Sequence, residues 1–279
     1  DDTAYTTTIT VASGVATLYY YCQNHSGMGG QINTNSTHGS TNFDGSILSV
    51  SNANTTSGFS IVTYTGNDAS SATVGHGLSQ APEWVIVKNR QEAISSPAWA
   101  IYHASNTSAP ATDYLDLSTN SQTGDADSVW NDTAPTSTVV SLGTADSVLS
   151  GSNHVMYCFH SVEGYSKFGS YTGNSSSAST PNHDGTFIYL GFRPAWFLIK
   201  RTSQSGEWNI HDSVRSPINP MLNFLVPNTS NAELTSEAIE FVSNGVKLRS
   251  ASGYFDDPSG ATFIYMAFAE TPFKYALAR

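Results

Sequence analysis

Residues 164–174 read GYSKFGSYTGN and lie at the junction between two similar halves of the chain. The four letters YTGN that close this stretch also occur at residues 64–67. The sequences that follow the two copies match as well, because residues 81–88 read APEWVIVK and residues 193–200 read RPAWFLIK. In each half a proline precedes a tryptophan, and the apolar run that follows ends in lysine. The sequence therefore predicts that one β-rich unit occurs twice.

The ends of the two halves are also alike. Residues 150–159 read SGSNHVMYCF and align without a gap on residues 259–268, which read SGATFIYMAF. The two copies are roughly 110 residues apart, which is much longer than a solenoid repeat and is the length of a small domain. We therefore predict a first β-sandwich repeat at residues 58–168 and a second at residues 169–279.

The composition favours an all-β protein. Charged residues make up only 12% of the chain, and its apolar runs are short and bounded by Gly, Pro, Asn or Ser. This pattern is typical of a sandwich or jelly roll rather than of βαβ units. We predict two tandem, similar, jelly-roll-like β-sandwich domains after a short N-terminal β segment. The predicted strands are residues 6–11, 16–22, 59–64, 83–88, 98–102, 114–117, 138–142 and 154–160, and then 186–190, 196–200, 208–211, 222–226, 239–242, 245–249 and 262–269.

The N-terminal part differs in composition from the two repeats. Residues 1–32 hold two short β-prone runs, whereas residues 33–57 consist largely of Asn, Thr, Ser and Gly and are predicted to be a linker. The chain opens on Asp1 and Asp2 without a methionine or a signal peptide, so we expect further sequence upstream.

Charge and motifs exclude several classes of function. The net charge is −11 and only 11 residues are Lys or Arg, which argues against nucleic acid as a partner. No run of about 18 apolar residues exists, so the sequence predicts no membrane span. The adjacent carboxylates Asp256 and Asp257 precede Pro258, which indicates a turn rather than an acid–base pair. Because nucleophile and phosphate-loop motifs are also missing from the sequence, we expect no catalytic activity.

One loop carries a candidate metal site. Residues 19–30 read YYYCQNHSGMGG and bring a thiol, an imidazole and a thioether together, the soft ligand set of a mononuclear copper site. The loop resembles the last strand and ligand loop of the cupredoxin family. The resemblance implies Cys22 as the thiolate ligand, His25 as an imidazole ligand and Met28 as the axial ligand. The Cys-to-Met spacing is shorter than in most such loops, and the family's first histidine has no counterpart. The alternative, which we adopt, is a cupredoxin-like end that has been reused as structure and binds no cofactor.

Aromatic residues offer a second kind of site, because an exposed tryptophan can stack on a sugar ring. Trp84 and Trp196 occupy equivalent positions in the two halves, as do Trp99 and Trp208, and this shared placement predicts that they lie in the core. Trp130 has no counterpart and lies in a turn-like segment. We therefore predict that Trp130 is exposed and binds a ligand.

Longer stretches carry a resemblance to a known family. Residues 130–139 (WNDTAPTSTV), 162–174, 191–195 (GFRPA) and 265–275 resemble a domain of unknown function common at the C-termini of marine bacteriophage virion proteins. The resemblance implies a structural protein on the virion surface, such as a tail fibre or spike that takes part in host attachment. It implies as partners further copies of the chain, in a trimer if it is a fibre, other virion proteins and a host surface glycan. The alternatives are a capsid decoration or head-fibre protein and a carbohydrate-binding adhesin module.

Overall fold

The structure is a computed structural model that describes residues 18–21, 29–32, 39–69, 71–91, 93, 97–174, 183–252, 255–256 and 260–272. At the N-terminus, β1 (Leu18–Tyr21) and β2 (Gly29–Ile32) form an antiparallel hairpin in which Tyr21 lies opposite Gly29. The predicted strand at residues 6–11 lies outside the described residues.

The first unit is built on a sheet of eight strands in the order β10-β9-β8-β7-β12-β5-β4-β3, and a second sheet made of β11 and β6 accompanies it. Every pairing between two named strands of the unit is antiparallel. The elements are β3 (Ser40–Asn42), β4 (Ser49–Asn54), β5 (Phe59–Thr65), β6 (Ala72–Gly75), β7 (Trp84–Asn89), β8 (Ala100–His103), β9 (Asp113–Asp116), β10 (Gly124–Asp125), α1 (Asp127–Trp130), β11 (Val139–Leu142), α2 (Asp146–Leu149) and β12 (Asn153–Phe159).

The second unit repeats the central part of the first. Its main sheet has the order β13-β19-β15-β16, which corresponds strand by strand to β5-β12-β7-β8, and a smaller sheet has the order β14-β18-β17. The elements are β13 (Ser166–Thr172), β14 (Phe187–Tyr189), β15 (Pro194–Arg201), β16 (Trp208–Asp212), β17 (Ile239–Val242), β18 (Gly245–Leu248) and β19 (Thr262–Ala269).

The structure places the junction between the units earlier than predicted. Ser166 lies opposite Phe268, and Thr172 lies opposite Thr262, so β13 pairs along its whole length with β19 of the second unit. The repeated YTGN letters therefore close equivalent strands of the two units, β5 and β13. Residues 166–168, predicted as the end of the first repeat, belong to the second.

The predicted linker at residues 33–57 is part of the first unit where the structure describes it. Strand β4 pairs with β5 from Ser49 opposite Tyr64 to Asn54 opposite Phe59, and Ile47 bridges to Val74 in β6. The polar composition misled the prediction because β4 is held mainly by backbone hydrogen bonds, and Ser49 is its one buried residue. By contrast, the predicted strand at residues 222–226 forms only isolated bridges.

The central strands of both units are buried on both faces. In β7, Val85 and Val87 contribute to the core of the first unit, whereas Trp84 points to the opposite face. In β15 the same alternation directs Phe197 into the core of the second unit and Leu198 to the opposite face. The continuous apolar runs WVIV and WFLI arise because neither face of these strands meets water.

These opposite faces pack against each other and form a third core, which we call the seam core. It contains side chains of both units, and their packing makes the two main sheets a β-sandwich. The all-β sandwich fold predicted from the sequence is therefore confirmed, and the two units share part of one interior. The buried members of the seam core are Trp84, Ile101, Leu115, Phe168, Leu198, Trp208, Ile264 and Met266.

Hydrogen bonds also cross between the units at this place. The indole Nε1 of Trp208 donates to the carbonyl oxygen of Asp116 over 3.1 Å. The backbone N–H of Thr123 donates to the carbonyl of Thr202 over 3.0 Å. Because these bonds lie beside apolar packing, they fix the relative register of the two sheets.

A lysine is buried beside the seam core. The ammonium nitrogen of Lys200 lies 2.7 Å from the carbonyl oxygen of Arg201 and 2.9 Å from that of Gly206, and 5.8 Å from the ring centroid of Trp208. Burial lowers the pKa of Lys200 to about 7, although the charge of Glu207 acts in the opposite direction. The native state therefore loses this proton at a lower pH than the unfolded chain.

We expect this buried lysine to make stability rise with pH. Between about pH 7 and the ordinary lysine value of 10.5 the unfolded chain holds one more proton than the native state, so alkali favours folding. The unfolding free energy of the wild type minus that of Lys200→Met should therefore increase between pH 7 and 9, by up to about 1.4 kcal/mol per pH unit. Urea unfolding at several pH values measures it, and a difference that stays constant with pH would contradict the lowered pKa.

Candidate ligand-binding cleft

An open cleft lies where the two units meet at the surface. Its volume is about 460 Å³, within the range of about 300–1,000 Å³ that small-molecule sites occupy. One wall comes from the end of β9 and the residue before β8, and the other comes from the loop after the bridge at Leu225. The lining residues are Trp99, Leu117, Ser118, Pro227, Asn228, Thr229 and Ser230.

Trp99 is the large aromatic of the cleft, and its backbone is fixed on both sides. Its N–H donates to the Oδ1 atom of Asp116 over 3.2 Å, and its carbonyl oxygen accepts from the N–H of Leu117 over 3.2 Å. The ammonium nitrogen of Lys88 lies 5.6 Å from the centroid of the indole ring. The ring is half-buried, so part of it remains accessible at the cleft.

The same Lys–Trp pair occurs in both units with different surroundings. Lys88 and Trp99 correspond in the repeat to Lys200 and Trp208. In the second unit the ladder includes Lys200 opposite Trp208, which buries the indole in the seam core. In the first unit the ladder ends at Val87 opposite Ala100, so Trp99 lies just beyond it and lines the cleft.

Asp116 is the carboxylate behind the first wall. It is buried, and it accepts hydrogen bonds from the N–H groups of Ala98, Trp99 and Ser118 and from the hydroxyl of Ser118. These donors occupy both oxygens, so the carboxylate holds the wall in place and does not face the cleft as a base.

The second wall is held equally firmly. The Oδ1 atom of Asn228 accepts from the N–H of Trp208 over 3.1 Å, and its Nδ2 atom donates to the carboxylate of Glu207. The hydroxyl of Thr229 donates to the carbonyl of Val226 over 3.2 Å. The wall is therefore anchored to β16, the strand that carries the seam tryptophan.

The arrangement suits binding better than catalysis. Trp99, Leu117 and Pro227 supply apolar surface, and Ser118 and Thr229 supply hydroxyl groups. No lining side chain is a carboxylate, an imidazole or a thiol, and the lining is fully within the described part of the chain. The cleft can hold a small ligand that has both an apolar face and hydrogen-bonding groups.

The structure corrects the prediction for Trp130. This side chain is only 1% exposed, and its ring lies 6.1 Å from that of Tyr102 in the core of the first unit. Residues 127–130 form the short helix α1, which ends at Asn131 with φ 52°, and the turn directs the indole inward. Trp130 therefore cannot stack on a ligand from solvent in this structure, and Trp99, predicted to be core, takes the accessible position. The sequence did contain a sign that the two tryptophans differ. Trp99 follows Lys88 by 11 residues, whereas Trp208 follows Lys200 by 8 residues.

The copper ligands considered above, Cys22, His25 and Met28, lie outside the described residues, so the structure tests neither a copper site nor the structural interpretation of this loop. Within the described ranges, no group of three or more His, Cys, Asp or Glu side chains lies together in a metal-like arrangement. Cys158 is buried in the core of the first unit, where burial raises the pKa of its thiol. Its counterpart in the second unit is Ala267, consistent with a small apolar role.

Among the described residues there is no helix with the length and apolar character that a membrane crossing requires.

Comparison with known proteins places the chain in a family. Searches of curated proteins and of solved structures found no match. One family description does match, Domain of unknown function (DUF7483), and it spans residues 32–272, which include both units. The chain is therefore a member of the DUF7483 family.

Proposed function

We propose that this protein is a structural component of a bacteriophage particle, exposed as a tail fibre, spike or similar appendage, and that it attaches the particle to its host. The observation that carries the proposal is the cleft beside Trp99, an accessible binding site without catalytic groups in its lining. The resemblance of residues 130–139, 162–174, 191–195 and 265–275 to domains of phage virion proteins supports the location. The protein acts in an assembly with further copies of itself and with other virion proteins.

The construction of the protein suits this role. The walls of the cleft come from different units, and the seam core holds those units together. A binding site on rigid supports loses little conformational entropy when the ligand binds. An exposed appendage also benefits from an acidic, hydroxyl-rich surface, because net charge keeps proteins soluble.

The location can be tested on intact particles. An antibody raised against the second unit, with immunogold detection, is expected to label the tail tip or the fibres. Purified protein added in excess should compete with particles for host cells and slow their adsorption. Gold over the capsid would indicate a decoration or head-fibre protein instead, and particles without label would overturn the virion proposal.

Carbohydrate binding is the second candidate function, and the half-buried Trp99 in the cleft favours it. A carbohydrate-binding adhesin need not belong to a virion, so the two candidates differ in location rather than in the site they use. The labelling of particles separates them, since an adhesin of a host cell surface would leave particles unlabelled.

A further inference from the structure

We propose that the cleft beside Trp99 binds a neutral saccharide, with one sugar ring stacked on the accessible part of the indole. This inference names the ligand class of the attachment site and rests on the binding role proposed above. A sugar ring presents C–H groups on one face and hydroxyl groups around its edge. The cleft presents an aromatic ring with apolar neighbours and hydroxyl-bearing residues at its border.

The apolar part of the cleft matches the face of a sugar ring. The electron-rich face of an indole attracts the slightly positive C–H groups of a sugar, and the contact also gains dispersion energy. Leu117 and Pro227 extend the apolar surface beside Trp99. The carbonyl and N–H of Trp99 are held by Leu117 and Asp116, so the indole is attached to a fixed backbone.

The charges around the cleft favour a neutral ligand. The seven lining residues carry no formal charge. Two carboxylates bonded to lining residues already accept hydrogen bonds, Asp116 from Ser118 and Glu207 from Asn228. The ammonium nitrogen of Lys88 lies 5.6 Å from the Trp99 centroid, but it donates to the carbonyl oxygen of Ala98, and Lys88 is not a lining residue. An anionic sugar or a nucleotide would lose hydration here without gaining a counter-ion in the lining.

The polar groups of the lining residues are placed where they can form hydrogen bonds with the hydroxyl groups of a sugar. Ser118 donates its hydroxyl hydrogen to Asp116 over 2.7 Å, so its oxygen keeps lone pairs that can accept from a ligand. Ser230 and Thr229 are exposed on the opposite wall and add hydroxyl groups at a second edge of the cleft. Hydroxyl groups on both walls fit a ligand whose polar groups lie around a ring.

The test is a glycan array followed by titration. The probes are neutral oligosaccharides of glucose, galactose, mannose and N-acetylglucosamine, printed beside matched sialylated, sulfated and uronic-acid sets. We expect the full chain to bind members of the neutral set. With the strongest neutral probe in isothermal titration calorimetry, Trp99→Ala should weaken binding by about tenfold or more, as is common when an aromatic anchor is truncated. Trp99→Phe should retain most of the affinity.

Two further variants keep the test decisive. Ser230→Trp places a bulky side chain at an exposed border position, so it should block the cleft without disturbing the core. Tyr189→Ala removes an aromatic side chain that is 60% exposed on β14 and is not among the lining residues, and this variant should bind like the wild type. The inference fails if folded wild-type protein binds no neutral probe, if it prefers the anionic sets, or if Ser230→Trp binds as tightly as the wild type. These results leave particle labelling unaffected, so the saccharide inference and the virion proposal can fail separately.

Discussion

Replacing Trp208 with alanine is expected to lower the free energy of unfolding by about 3–5 kcal/mol, the usual cost of truncating a buried Trp. The side chain is fully buried at the centre of the seam core, and its ring centroid lies 6.2 Å from that of Trp84 in the other unit. Truncation leaves a cavity between the two main sheets. It also removes the indole N–H that donates to the carbonyl oxygen of Asp116.

The position of Trp208 also predicts how the variant unfolds. Since the seam core is shared, its loss should separate the unfolding of the two units, and a single urea transition should become two. Trp130→Ala is the matched control, because Trp130 is equally buried but lies within the core of the first unit alone. That control should lose a similar amount of stability but keep a single transition, moved to a lower urea concentration, because its seam core is intact. If Trp208→Ala unfolded in a single transition at the urea midpoint of the wild type, the seam core would contribute little to stability.

Trp208→Phe reduces the cavity but still removes the hydrogen bond to Asp116. Phenylalanine retains much of the apolar volume but cannot donate to Asp116, so we expect it to be destabilised less than the alanine variant. The remaining loss estimates the hydrogen bond together with the smaller ring, and a bond of this kind contributes about 0.5–1.5 kcal/mol.

The sequence predicted the central strands well because both of their faces are buried. WVIV in β7 and WFLI in β15 are apolar at every position, and such runs stand out against the polar composition of the chain. Strand β4 was missed for the opposite reason. Its sequence SVSNAN has one buried residue, and its pairing with β5 depends on backbone groups that are the same in every sequence.

The cleft was harder to predict than the strands. Its walls contain Ser118 and Asn228, which are far apart in sequence and meet only because the seam core brings the two sheets together. The repeat placed Trp99 and Trp208 at equivalent positions, and equivalence suggested the same environment for both. The structure separates them, since packing between the units covers one indole and leaves the other accessible. Apart from the longer segment before Trp99, the local pattern of the two copies did not indicate which indole the packing between the units would cover.

A buried carboxylate in the second unit provides the other large effect. Asp256, predicted to belong to a turn, is fully buried. Its Oδ1 atom accepts from the N–H of Asn174 over 2.8 Å and from the hydroxyl of Thr186 over 3.1 Å. Its Oδ2 atom accepts from the N–H of Thr186 over 2.8 Å and lies 3.0 Å from the Nε2 atom of His183. One side chain therefore connects the end of the YTGN segment to the start of β14.

We expect Asp256→Ala to lower the free energy of unfolding by about 3–5 kcal/mol, because it leaves buried donors without their acceptor. Asp256→Asn has the same shape and keeps one acceptor oxygen, so its loss should be smaller. Asp184→Ala is the control on the neighbouring loop, since its carboxylate is 84% exposed and pairs with Lys247 at the surface, where solvent screens an ion pair and it contributes little to stability. Urea unfolding followed by tryptophan fluorescence measures all three variants. If Asp256→Ala were no less stable than Asp184→Ala, the hydrogen bonds to Asp256 would not hold this loop, and the apolar core around Phe255 would have to do so alone.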